Sequence, residues 1–160
     1  MCGIVGIINR NGKEVDFRVL QSMAETLHHR GPDEEGYFID GPVGFYHKRL
    51  SIIDLYSGRQ PMSSEGVSIV FNGEIYNYLE LRQSLEKQGH VFSTTSDTEV
   101  LLRMYIEYGS DCVKHLNGMF AFLVYDRNRQ LIVTARDHFG IKPLYYFADP
   151  ELLLFASEIK

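Results

Sequence analysis

A cysteine stands directly behind the initiator methionine, in the run Met1-Cys2-Gly3-Ile4-Val5-Gly6-Ile7. If Met1 is trimmed, Cys2 carries a thiol and a free α-amine on one residue. An α-amine titrates at about pH 8, so a usable fraction is an unprotonated base at neutral pH. Nucleophile and base then share a residue, the most compact form of the pair that covalent catalysis through cysteine needs. A free cysteine at the start of a strand is equally a small, buried and inert side chain. Position alone favours that plainer reading.

Other residue types raise the stakes. Asn72-Gly73-Glu74 follows an apolar strand and leads into a helix. Asn-Gly is the leading hairpin-turn signal, but no partner strand follows. The second reading is an oxyanion hole, in which the Asn72 amide and the Gly73 N–H converge on one oxygen. Losing such a donor costs about 3–4 kcal/mol of transition-state stabilisation. Arg49 ends another apolar strand, and its planar fork suits a carboxylate; a lone arginine is also an ordinary surface charge. Glu74 and Asp97 are acidic positions able to receive an ammonium, although Asp97 also suits the first turn of a helix. The six histidines show no metal-binding spacing, and no phosphate loop is present, so nothing points to an ATP site in this chain. Residues 137–140 (DHFG) share letters with a kinase magnesium motif but lack its companion loops; with residues 140–143 they read as a turn between strands.

The elements that must position these groups follow from periodicity. Residues 4–8 read as a buried strand. Asp16 caps a helix carrying Leu20, Met23 and Leu27 on one face, broken at Gly31-Pro32. Short β runs follow at 36–39 and 43–50, joined by the turn Asp40-Gly41-Pro42. Residues 57–61 read as an exposed loop, and 67–71 as a strand that Asn72-Gly73 ends. Helices are expected over 78–88, stopped by Gly89, and from a capping box at Ser96–Glu99 to Gly109. A helical turn over 111–116 comes next. Strands 119–125 and 131–135 are apolar on both faces, so each sheet should be covered twice. The expected fold is α+β: a four-layer α/β/β/α sandwich of two antiparallel sheets between helical layers. Residues 156–160 read as a helix beginning, which suggests a fragment cut at a domain edge.

Composition sets the outer limits. At 160 residues one domain is expected, with 44% hydrophobic and 23% charged residues. The net charge of -5 without a basic cluster argues against nucleic acid. Two cysteines, Cys2 and Cys112, argue for a reducing compartment. No apolar stretch approaches a membrane span and no basic leader precedes the apolar run, so a cytoplasmic protein without a membrane partner is expected.

Several stretches agree jointly with one family: MCGIVGI at 1–7, HRGPD at 29–33, HKRLSIIDL at 47–55, FNGEIYNY at 71–78, SDTE at 96–99, LNGMFAF at 116–122, RDHFGIKPLYY at 136–146 and ASEIK at 156–160. In these the chain resembles class II glutamine amidotransferase domains, most nearly the amino-terminal glutaminase half of glutamine-hydrolysing asparagine synthetases. The resemblance implies the N-terminal-nucleophile fold across residues 1–160, with L-glutamine as substrate. It implies Cys2 as nucleophile, Asn72 and Gly73 as oxyanion donors, and Arg49 on the α-carboxylate. It also implies Glu74 and Asp97 on the α-ammonium, and Leu50, Ile52 and Ile53 lining the pocket. Ammonia would pass to a C-terminal synthetase domain or subunit, absent from this chain. ATP and magnesium are expected only there, and no cofactor in this domain. The acceptor implied is aspartate. The alternatives are the glutaminase module of a different amidotransferase, an acylase of the same fold, and an inert unprocessed docking module.

Overall fold

The computed structural model describes the whole chain except Ile52, Ile53, Leu55 and Tyr56. Five strands form one antiparallel sheet: β1 (Gly3–Asn9), β2 (Glu34–Asp40), β3 (Val43–Arg49), β8 (Tyr145–Ala148) and β9 (Leu152–Ala156), in the order β2-β3-β1-β9-β8. Four form the other: β4 (Met62–Ser64), β5 (Val67–Ile75), β6 (Gly118–Asp126) and β7 (Leu131–Arg136), in chain order. Helix α1 (Phe17–Glu25) belongs with the first sheet; α2 (Tyr78–Lys87) and α3 (Asp97–Tyr108) belong with the second.

Strand side chains alternate between faces, and here both faces are buried. In β1, Val5 and Ile7 pack outward with Leu20 and Ala24 of α1 and with Leu27 just beyond it, while Ile4 packs inward. In β6, Phe120, Phe122 and Val124 meet Leu101 and Tyr105 of α3, while Ala121 and Leu123 meet Ile4, Phe45 and Phe155 of the first sheet. Three apolar layers therefore separate four structural ones, and the expected α/β/β/α sandwich is present. Full burial of each such side chain is worth about 1.5–3 kcal/mol.

Local signals held where nothing tertiary competed. Asp16 caps α1 through its carboxylate on the Arg18 N–H at 2.8 Å, and Gly41, Gly89 and Gly109 take the positive φ expected of stops. Several readings change. First, β5 does not end at Asn72-Gly73. Its ladder with β6 continues through Asn72↔Ala121 and Gly73↔Phe120 to Ile75↔Gly118, so pairing overrides the turn preference of Asn-Gly. Second, the capping box is half made: Ser96 caps the Thr98 N–H at 3.1 Å, but Glu99 accepts from the Ser93 and Thr94 N–H groups instead. Third, Ala156 closes strand β9 in register with Val5, and residues 157–160 bend rather than begin a helix. The short strand β4, β8 and β9 were not anticipated, and β7, with Leu131 exposed, is an edge strand covered less than expected. The loop at 57–61 is not wholly exposed either, since Gly58 and Gln60 are buried.

The segment after β9 fixes the chain's beginning. The Ile4 N–H donates to Ser157 Oγ at 3.0 Å, and the Ser157 N–H donates back to the Ile4 carbonyl at 3.0 Å. The Cys2 carbonyl accepts from Arg30 Nε at 3.0 Å, and Arg30 is held in turn by Glu158 at 2.9 Å. Ser157 is fully buried. Its replacement in Ser157→Ala leaves the Ile4 N–H unpaired, which should lower stability by about 1–3 kcal/mol; urea melts read this directly, and an unchanged midpoint would contradict it.

Candidate active site

Strand alternation brings the candidate residues together. The inner face of β1 contains Ile4, and Cys2, two residues earlier, continues that register beyond the ladder. On β3 the inward positions are Val43, Phe45, His47 and Arg49; on β5 they are Val70, Asn72 and Glu74. At this end of the sandwich the apolar inner layer gives way to a polar cavity of about 70 Å3. Cys2, Arg49, Leu50, Asn72, Gly73, Glu74 and Asp97 all line it, from four separate parts of the sequence. Ile52 and Ile53 lie outside the described residues. Met1 lines the same cavity.

The Cys2 sulfur rests against the backbone of Leu50. It accepts from the Leu50 N–H at 3.4 Å and its thiol donates to the Leu50 carbonyl at 3.6 Å. Burial pushes the thiol above its ordinary value, opposed by the Leu50 hydrogen bond and by the positive charges of the N-terminus, Arg49 and Lys142. At neutral pH this sulfur is protonated and needs a base before it can attack.

Two donors open on the cavity from β5. Asn72 is 1% exposed, and its Nδ2 is buried with no hydrogen-bond partner. A buried amide donor without an acceptor is costly. Gly73 follows from the ladder geometry. In an antiparallel strand a residue's N–H and C=O point to the same edge, alternating along the chain. The odd residues of β5 point away from β6: the Phe71 N–H donates to Gln60 Oε1 at 2.6 Å, the Phe71 carbonyl accepts from His47 Nε2 at 3.1 Å, and the Ile75 N–H donates to Asp97 Oδ2 at 3.1 Å. Gly73 lies between them and presents its N–H at the same edge. Only glycine fits there, because a Cβ at position 73 would sit 2.2 Å from the Met119 carbonyl. His47 is wholly enclosed, and burial takes it down to about 3 against the opposing effect of its bond to Phe71, so the ring is neutral.

Charge divides the walls. Asp97 opens α3 and is 4% exposed; burial, reinforced by the nearby Glu74 charge, raises its carboxyl to about 6 despite the hydrogen bond from Ile75. Glu74 and Asp97 thus form an acidic pair. Arg49 is fixed by an ion pair to Glu34 and by donation to the Asp54 carbonyl. Asp54 is itself bound by Ser57 and Thr95, which hold its carboxyl far below the usual range. Sequence reading missed Gln60 and Lys142. Gln60 bridges Phe71 to Thr98 Oγ1 at 3.2 Å, joining β5 to the start of α3. Neither has a local signal, since both sit in segments that read as turns.

Comparison with known proteins places the fold and the sequence. The fold matches the solved glutamine phosphoribosylpyrophosphate amidotransferase of Bacillus subtilis with a TM-score of 0.78, over 98% of this chain and 42% of that one, at 24% identity. This likeness establishes a shared fold, the two antiparallel sheets between helical layers. In sequence the chain is 49% identical, over its full length, to 26% of an asparagine synthetase [glutamine-hydrolyzing] of Bacillus subtilis. It is 42% identical, over 96% of its length, to 23% of an "Amidase chry2" of Gibberella zeae. The chain spans about a quarter of the length of the relatives it matches. The model of the glutamine amidotransferase domain covers residues 1–160, and the chain belongs to that family.

Proposed function

We propose that this domain hydrolyses L-glutamine to glutamate and ammonia through a thioester on Cys2, once Met1 has been removed. One observation carries the reading: the Cys2 sulfur, the unpartnered Asn72 amide, Arg49 and the Glu74–Asp97 pair line a single cavity. The new α-amine of Cys2 takes the thiol proton, and the thiolate attacks the carboxamide carbon. Negative charge then gathers on the former carbonyl oxygen, where Asn72 Nδ2 and the Gly73 N–H receive it. The protonated amine returns its proton to the leaving nitrogen, the C–N bond breaks, and ammonia departs. Water, deprotonated by the same amine, attacks the thioester; the C–S bond breaks and glutamate is released. Arg49 receives the substrate α-carboxylate and Glu74 with Asp97 its α-ammonium, which selects free glutamine over an amide within a peptide. Leu50 lines the acyl site, with Ile52 and Ile53 assigned beside it.

Residues 1–160 act as one glutaminase domain, needing no cofactor for this step. The ammonia serves a synthetase domain or subunit using ATP and magnesium to activate a carboxylate, aspartate by likeness to the asparagine synthetases. No helix among the described residues is long and apolar enough to cross a membrane, in keeping with a cytoplasmic reaction.

Cys2→Ala should abolish glutamine hydrolysis while leaving the thermal melt in place; glutamate release above background from that variant would defeat the thioester. Intact mass should show the active chain lacking Met1, and full activity from a chain retaining it would remove the α-amine as base. Asn72→Ala should lower kcat by roughly 100- to 1,000-fold with little change in KM, because its acceptor develops only during reaction. A change confined to KM would make Asn72 a binding group.

Asp97 gives a prediction with a sign. Its folded value of about 6 lies above the ordinary carboxylate value, so the folded chain holds this proton more tightly than the unfolded one. The associated stability is complete below about pH 4 and is lost as pH rises through 6. At pH 7.5 the ionised group therefore opposes folding, by an order of 3 kcal/mol. Asp97→Asn should raise the melting temperature at pH 7.5 but not at pH 4, while raising KM for glutamine. A lower melting temperature at pH 7.5 would contradict this.

A further inference from the structure

Two lysines are buried in this domain, and their surroundings differ. Lys48, 3% exposed, is paired with both Glu25 and Glu35. Lys142 is 7% exposed and lines the cavity that holds Cys2, yet no carboxylate among the described residues pairs with its ammonium. A buried cation without a counter-charge is unfavourable, so its placement needs a cause. The backbone supplies it. Asp137 accepts from the N–H groups of Phe120, Phe139, Ile141 and Lys142, at 2.9–3.2 Å, and Arg136 Nε donates to the Lys142 carbonyl at 2.9 Å. Gly140 takes the positive φ that lets the turn close. This turn is clamped to β6 and sets Lys142 at the cavity wall, independently of its side chain.

We propose that the Lys142 ammonium is the standing counter-charge of the Cys2 thiolate. The inference rests on Cys2 being the nucleophile. Charged groups around that sulfur are the N-terminal ammonium, Arg49 from β3, Lys142 from the 137–142 turn, Glu74 from β5 and Asp97 from α3. Arg49 is engaged by Glu34, and the α-amine has to be in its neutral form to accept the thiol proton. The Lys142 ammonium takes no part in that proton transfer. It stabilises the sulfur anion twice: when the S–H proton passes to the α-amine, and when thioester hydrolysis returns the C–S electron pair to sulfur. The charge of Lys142 also opposes the effect of burial on this thiol.

The test reads the thiol without glutamine. The full chain beginning at Cys2 is alkylated with iodoacetamide across pH, the thiolate forming the C–S bond as iodide leaves, and the Cys2 peptide is quantified apart from buried Cys112. In Lys142→Met the pH midpoint should rise by roughly 0.5–1 unit, making alkylation at pH 7 about 3- to 10-fold slower. Lys142→Arg should keep the parent midpoint. If the methionine variant does not fold, Lys142→Gln supplies the neutral side chain for the same measurement. An unchanged midpoint in a folded neutral variant overturns the proposal, including where KM for glutamine rises and Lys142 proves to be a substrate contact. A raised midpoint in a chain that does not turn over glutamine supports the Lys142–Cys2 pairing and separately overturns the glutaminase reading.

Discussion

The two-residue period of a β-strand, imposed on three strands at once, is the constraint from which the rest of this domain follows. β1 and β3 are hydrogen-bonded in one sheet, with Gly3 opposite Lys48, while β5 lies in the other. Because Ile4, Phe45 and Val70 must all face the shared apolar layer, the residues in phase with them must face the same way. Cys2, Arg49, Asn72 and Glu74 are in phase. A register slip of one residue in any of the three strands would exchange buried apolar and polar side chains along its whole length. The cavity is thus protected by the same burial that stabilises the sandwich, and its polar residues need no separate device to converge.

Positioning then becomes a matter of backbone satisfaction. β4 ends early, leaving the outer edge of β5 open beyond Ile69. Side chains occupy that edge: His47 and Gln60 take both polar groups of Phe71, and Asp97 takes the Ile75 N–H. Gly73 is the position between them where an amide remains turned to the cavity. The same economy holds the N-terminus, where Ser157 completes the ladder at Ile4 and Arg30 holds the Cys2 carbonyl. Ends of strands usually fray. Here both ends that matter are closed by buried side chains, which leaves Cys2 little room to move.

Enclosing charge in this way carries a stability cost. Asp97 is kept in a setting that favours its protonated form, His47 cannot ionise, and Asn72 Nδ2 and His47 Nδ1 are buried without partners. Each of these would be better satisfied by a hydrogen-bond partner or by water. The three apolar layers on either side and between the sheets offset them; Asn72 Nδ2 lies at the cavity and His47 Nδ1 on a strand that borders it, whereas Arg103 Nε, also without a partner, lies on α3 away from it. Asn72 Nδ2 is the unpartnered donor at the cavity, as expected of a group held ready for an acceptor that arrives later.

The sequence by itself determined a great deal. Apolar runs pointed to strands in both sheets, the both-sided apolar character of residues 119–125 pointed to coverage on two faces, and caps at Asp16 and Ser96 placed two helices. Joint agreement of eight short stretches pointed to the family and to Cys2, Arg49, Asn72, Gly73, Glu74 and Asp97. These signals are local, carried by neighbours a few residues apart. What the tertiary structure alone decided is every contact made across the sheets. Asn72-Gly73 reads locally as a turn, and only its pairing with Ala121 and Phe120 makes it a continuous strand. Gln60 and Lys142 read locally as loop residues, and only the packing of remote segments against β5 and β6 buries them at the cavity. Local preference is worth about 1 kcal/mol per residue or less, whereas a ladder and a buried layer act over many residues together, so the longer-range interaction prevails wherever the two disagree.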